Sequence, residues 1–172
     1  MSQQIVRAHV RDIAKVKPLW KQMVSEYATI SGGKWRVLEP HEAWQLRFQE
    51  YLAWINDASG LVFIAIDQTP DENGNVEDKA VGYAAIRFVS PDSTFDMGET
   101  RGELESLVVL PDYRGRGIAS DLLSACRKEL MRREISYWTT STLTDNAATI
   151  HLFQKNGFKP FLLRMGQRLE DD

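Results

Sequence analysis

Two short stretches of this chain hold residue types able to do chemistry at the spacing chemistry needs. The first is Arg114-Gly115-Arg116-Gly117, set between an apolar run and an amphipathic one. The opening amide N–H groups of a helix have no backbone partner, and its dipole leaves about half a positive charge there. Gly115 and Gly117 let backbone come close to a ligand, and Arg114 and Arg116 add fixed positive charge. Such a turn suits a phosphate or pyrophosphate. Residues 111–133 carry six basic side chains against three acidic ones, so the local field is positive although the chain's net charge is −3. The second stretch is Glu103-Leu104-Glu105, two carboxylates on one face of a strand. Like charges held together raise one pKa, which suits a proton acceptor.

These groups need a strand, a turn and a helix to hold them. Residues 103–110 read as the strand. Residues 117–133 read as the helix, with Ile118, Leu122, Leu123, Cys126 and Leu130 on one face. Upstream, 5–8 predicts a short strand. A helical stripe follows Asp12 and runs from Ile13 to Tyr27, with Pro18 either kinking it or marking its true start. A second helix is expected from about Pro40, with Trp44, Phe48, Tyr51, Leu52 and Ile55 on one face. Residues 61–66 read as a buried strand and 80–89 as its partner, joined by a loop dense in turn formers. Downstream, 136–142 predicts a strand, 145–155 a helix stopped by Asn156-Gly157, and 158–165 a strand closing the sheet. The fold class is α/β, a mixed sheet with helices on its faces.

At 172 residues one domain is expected, spanning 1–172. With 26% charged and 43% hydrophobic residues the composition is that of a globular chain and excludes a disordered one. The charge balance argues against a nucleic-acid partner. No apolar run nears the ~20 residues that cross a bilayer, and no signal peptide is visible, so no membrane association and a cytoplasmic location are expected. The single cysteine, Cys126, and the spacing of three histidines give neither a disulfide nor a metal motif. Among phosphate binders, the P-loop pattern fails for want of its lysine. The dinucleotide pattern fails because Ser120 stands where a third glycine is wanted. One Arg-Gly-Arg-Gly copy at a strand–helix junction has little RNA-binding character.

The run Arg114-Gly115-Arg116-Gly117-Ile118-Ala119, led in by Pro111-Asp112-Tyr113, resembles the central motif of the GNAT superfamily of acyl-CoA-dependent N-acetyltransferases. Asn146 with Gly157-Phe158 eleven residues on resembles that family's later helix. The resemblance implies a GNAT-like fold: a central, mostly antiparallel mixed sheet of six or seven strands, splayed between the fourth and fifth and flanked by about four helices. It implies acceptor-side helices over about 12–57 and an acetyl-CoA-binding core over about 100–158. Backbone of Leu107, Val108 and Val109 would pair with the pantetheine arm. Amides of Arg114, Gly115, Arg116, Gly117, Ile118, Ala119 and Ser120 would hold the pyrophosphate. Asn146 would touch the cofactor arm, and Phe153 would lie beside it. The structural alternatives are a tight turn for the glycines and a helix cap for Asn146.

By the same resemblance Glu105 is the first choice as catalytic base and Glu103 the second. The alternative is solvated charge, or an ion pair with Arg101. Family members commonly carry a proton-donating tyrosine seven residues after the asparagine. Here that residue is Phe153, and Tyr83, Tyr113 and Tyr137 are the conceivable substitutes. Trp35, in a loop beside Gly32-Gly33-Lys34, and Tyr83 are the expected acceptor contacts, and an acidic excess over 90–105 could attract a cationic amine. The expected activity is acetyl transfer from acetyl-CoA to a primary amine, small or peptidic, by direct attack in a ternary complex. Cys126, on an apolar helix face, reads as packing rather than nucleophile. The alternative is an acyl-CoA-binding regulatory module with little turnover, which Phe153 favours. A third reading is nucleotide binding without CoA. Dimers are common among similar enzymes, so a homodimer is compatible with the resemblance.

Overall fold

Pro18 begins a helix rather than kinking one. In the computed structural model, which describes residues 3–68, 70, 73–90 and 93–169, a 3-10 turn over Val10–Val16 feeds directly into α1, Lys17–Ser31. Proline sits in the first turn of α1, where its missing N–H is no loss. Gly32, at φ +56°, ends that helix in the left-handed conformation. The second helix, α2, spans Pro40–Asn56, and the Glu39 carboxylate caps it by accepting from the His41 and Glu42 amides at 2.7 and 3.2 Å. The remaining elements are β1 (Gln3–Arg7), β2 (Gly60–Asp67), β3 (Lys79–Val89), β4 (Arg101–Val109), a 3-10 turn (Pro111–Tyr113), α3 (Ile118–Arg132), β5 (Trp138–Thr140) and α4 (Ala147–Lys155).

The strands form one sheet in the order β1-β2-β3-β4-β5, antiparallel except for the parallel β4–β5 pair. One face is covered by α1 and α2 through Leu19, Trp20, Trp44, Tyr51, Ile64 and Val108. The other is covered by α3 and α4 through Leu104, Ile118, Leu122, Leu130 and Phe153. Gly102 marks how closely α3 packs, since a Cβ there would stand 2.8 Å from the Leu130 side chain. Among the described residues no helix is long and apolar enough to cross a membrane.

Among the described residues the sheet has five strands, not six or seven, and the expected strand over 158–165 is absent. Pro160 cannot donate to a ladder, and the segment is held by ring contacts instead. Phe158 packs on Trp138 and Phe153 with centroids 4.6 and 5.2 Å apart, and Phe161 packs on Phe95 at 4.9 Å. β5 is likewise three residues long rather than seven, because it leaves its neighbour early. It pairs with β4 only from Gly102↔Trp138 to Leu104↔Thr140, while β4 continues to Val109. The expected splay between fourth and fifth strands is therefore present.

A second irregularity falls at the same place. The β3–β4 ladder pairs Ile86 with Leu104 and Ala85 with Ser106, skipping Glu105. Glu105 is the extra residue of a β-bulge, a device that re-aims side chains beside functional sites. Leu104 packs on the α3 side, whereas Ser106 bonds to Tyr51 on the α2 side.

Candidate active site

Where β4 and β5 part, a cleft of about 790 Å³ opens, lined by Met23, Glu26 and Tyr27 of α1, residues 104–109, the turn before α3, Thr140, Ser141 and one side of α4. Along it β4 pairs with no strand of the described residues on the β5 side beyond Leu104, which leaves its backbone open to an extended ligand.

At one end of the cleft stands the glycine turn. Gly115 and Gly117 have φ of +73° and +85°, and a Cβ on either would meet no atom within 4 Å. Both thus face open space, and only glycine adopts this backbone without strain. The first bond closing α3 runs from the Asp121 N–H to the Gly117 carbonyl at 3.0 Å, so the helix itself leaves over the amides of Ile118, Ala119 and Ser120. Arg114 is tied down, its Nε donating to the Val109 carbonyl at 2.9 Å and its Nη2 to Glu26 Oε1 at 2.6 Å. Together these features fit a ligand with an anionic head and an extended arm, as acetyl-CoA is.

Every residue expected to hold the cofactor lines the cleft except Arg116. That arginine turns away, donating to the Asp112 carbonyl at 2.7 Å with its guanidinium 5.0 Å from the Tyr113 ring. Asn146 does line the cleft but is also the cap of α4, its Oδ1 accepting from the Thr149 amide at 3.2 Å. Phe153 is buried against Phe158 and lines the cleft with its ring. Lys34 Nζ donates to Asp145 Oδ2 at 2.6 Å, tying the loop after α1 to the start of α4.

Glu105 lines the cleft. Burial, and then the neighbouring Glu103 charge, raise its carboxyl above the ordinary glutamate value, against the pull of Arg47 and Arg87. Glu103 does not line the cleft. Its Oε2 is 3.2 Å from Arg87 Nη2 and 3.9 Å from Arg101 Nη1, so the ion-pair alternative holds for it.

Tyr83 is a correction. Expected as an acceptor contact, it is 0% exposed, and its hydroxyl lies 3.2 Å from that of Tyr51, which in turn donates to Ser106 Oγ at 2.8 Å. It occupies the core because β3 is central in the sheet and both its faces are covered. Trp35 is exposed in its loop, as expected, but lies outside the cleft lining and over Gly166. Cys126 is wholly buried, and burial drives its thiol far up, away from nucleophilic use.

Sequence reasoning passed over Arg47 and Arg87. Arg47 could have been found, as it stands within the apolar stripe of α2, sharing a face with Trp44, Tyr51 and Trp54. Arg87 carries no such signal.

Fold and cleft together define an α/β protein built to take an extended, anion-headed ligand into a splayed sheet. The pattern of the acetyltransferase (GNAT) family matches residues 21–158, and the chain belongs to that family. Acetyltransferase SG1711 of Sodalis glossinidius (strain morsitans) is 38% identical over 74 residues, 42% of this chain and 52% of that protein. The chain spans about half the length of the curated relatives it matches. Among solved structures, a tetramutant of BH1408 from Bacillus halodurans shares the fold with a TM-score of 0.75 at 19% identity, covering 96% of this chain and 99% of that one. The aminoglycoside N-acetyltransferase AAC(6')-Iy in complex with CoA has a TM-score of 0.71 at 18% identity, covering 97% and 94%.

Proposed function

We propose that this chain transfers an acetyl group from acetyl-CoA to a primary amine by direct attack in a ternary complex, with residues 1–172 acting as one domain. The observation that carries the reading is Glu105, a bulge residue turned into the cleft at the level where β4 and β5 part. When bound, acetyl-CoA supplies the thioester carbonyl. Backbone of Leu107 and Val109 would hold its extended arm and the amides of 115–120 its pyrophosphate, with Asn146 and Phe153 alongside; the Arg114 amide, expected with them, donates to the Pro111 carbonyl at 3.1 Å instead. Helices α1 and α2 would form the acceptor side. Glu105 would take the proton that an amine must lose to be nucleophilic, and its raised pKa suits that task. A buried Cys126 with an inert thiol favours direct attack over a covalent route. A cytoplasmic location and a homodimer belong to the same proposal.

Phe153 favours a second reading, a regulatory module that binds acyl-CoA with little turnover, because a phenyl ring offers no proton at the cleft. Thiol release from acetyl-CoA, measured with a panel of amines beside calorimetric binding of CoA, decides between them. Release with at least one amine is expected. Tight binding without release for any amine supports the module. Thermal protection by ATP or NAD but not by acetyl-CoA overturns both.

A further inference from the structure

Glu105 is gripped from two sides. Its Oε1 lies 3.2 Å from Arg87 Nη2 on β3, and its Oε2 lies 3.8 Å from Arg47 Nη1 on α2. Each carboxylate oxygen thus has its own guanidinium, brought by a different element. The two arginines sit within a chain of alternating charge, Glu50–Arg47–Glu105–Arg87–Glu103–Arg101, whose successive gaps are 3.1, 3.8, 3.2, 3.2 and 3.9 Å. They are themselves fixed. The Arg47 guanidinium rests 4.8 Å from the Trp20 ring and 5.6 Å from those of Tyr51 and Trp54, while Arg87 lies 5.9 Å from Trp54 and pairs in register with Glu103. Neither arginine lines the cleft, whereas Glu105 does. A bulge residue has lost its ladder partner and needs another restraint to hold one direction.

We propose that Arg47 and Arg87 are positioning residues that hold the Glu105 carboxylate toward the cleft and favour its charged form. The inference rests on Glu105 being the base of the proposed reaction. The groups around it pull both ways. Glu103 on β4 and Glu50 on α2 favour its neutral form, as does burial, while Arg47 on α2 and Arg87 on β3 favour the carboxylate. Tyr51, on α2, stays neutral because burial pushes its phenol up to about 12. Glu26 and Tyr27 of α1 line the same cleft. Without the two guanidinium groups, burial, Glu103 and Glu50 would all favour the protonated form, with Arg101 left paired to Glu103.

The test reads the carboxyl directly and turnover separately. Side-chain carboxyl carbons are followed by NMR against pH in the free protein, the Glu105 signal being assigned by its loss in Glu105→Gln. In Arg87→Gln the Glu105 midpoint is expected to rise by about one pH unit, with partial return in Arg87→Lys, which restores charge but not the fork. Arg47→Met is expected to raise it as well. Should that variant fail to fold, the two Arg87 variants decide alone. The acid limb of kcat/KM for the amine should move with the midpoint, while KM for acetyl-CoA holds. An Arg87→Gln protein whose Glu105 midpoint and acid limb both match wild type overturns the inference. A midpoint that moves while the limb stays upholds the grip on Glu105 and instead removes Glu105 from the proposed reaction.

Discussion

Arg114 and Glu26, 88 residues apart in the chain, are joined at the cleft: the Arg114 Nη2 donates to Glu26 Oε1 at 2.6 Å. The same guanidinium donates through Nε to the last carbonyl of β4. An arginine of the glycine turn is thereby spent on the protein, and a carboxylate stands beside the place where an anion would bind. The side chains are 48% and 32% exposed. A pair so wetted adds little to stability, so its chief effect is expected on an anion bound at the proposed site.

Glu26→Gln should therefore tighten binding of acetyl-CoA by about three- to tenfold, the removal of one nearby repulsive charge in a partly wet site. The gain should shrink between about 0.01 M and about 1 M salt, where the Debye length falls from about 30 Å to about 3 Å. Melting should shift by less than the equivalent of about 1 kcal/mol. Calorimetric titration at both salt levels checks it, and weaker binding at low salt would mean that Glu26 serves to orient Arg114.

Gly117→Ala tests the turn against an internal control. At φ +85° a Cβ costs about 1–2 kcal/mol in strain. Because no described atom beyond its chain neighbours lies within 4 Å of it, a further loss of affinity is assigned to the ligand. Acetyl-CoA affinity should fall at least about tenfold, since each 1.4 kcal/mol of lost contact is tenfold. Gly33, at φ +81° with equally open space but outside the cleft, should lose similar stability as Gly33→Ala and no affinity. Gly117→Trp should abolish binding.

The buried hydroxyl series Tyr83–Tyr51–Ser106 gives a prediction about stability alone. Tyr51→Phe removes the hydroxyl that joins Tyr83 to Ser106 and leaves those two buried groups only each other, which should cost about 1–3 kcal/mol. Tyr83→Phe leaves the Tyr51–Ser106 bond intact and should cost about 1 kcal/mol. Denaturant melts order the two variants. Unchanged affinity and unchanged KM for any acceptor in Tyr83→Phe would confirm that Tyr83 belongs to the core.

What the sequence disclosed and what it withheld divides along physical lines. The glycine turn, α3 and the cap of α4 are local: spacing, a proton-acceptor side chain and left-handed glycines specify them within a few residues. Alternation along β4 correctly put Glu103 and Glu105 on one face, and both reach Arg87. It would have put Ser106 on the opposite one, and the bulge brings it round to Tyr51. A single skipped residue leaves no trace in a period-2 pattern. Segment 158–165 has the apolar content of a strand, yet packing of Phe158 and Phe161 on distant rings outweighed pairing. Arg47 and Arg87 meet Glu105 only through the pairing of β3 with β4 and the seating of α2, contacts that no local pattern encodes.

Glu105→Gln carries the pH dependence. A folded carboxyl raised above its unfolded value favours the protonated form, so its stabilising contribution is full below the ordinary glutamate value and is lost as pH rises through the raised one. Glutamine does not titrate, so the variant's melting temperature should lose less than that of wild type over that interval. It should equal or exceed the wild-type value at pH 7, with Arg87 still paired to Glu103. Turnover should move oppositely. On the proposed mechanism wild-type activity should rise with pH as the Glu105 carboxylate forms, whereas the variant would lack that base and depend on the fraction of amine already neutral. The deficit should thus be largest toward pH 6, about 100-fold or more if base assistance has its usual size, and narrow toward the pKa of the acceptor. Melts and kcat/KM across pH 5–9 measure both limbs. A variant that keeps the wild-type rate profile while gaining stability would make Glu105 a buried charge without a catalytic task.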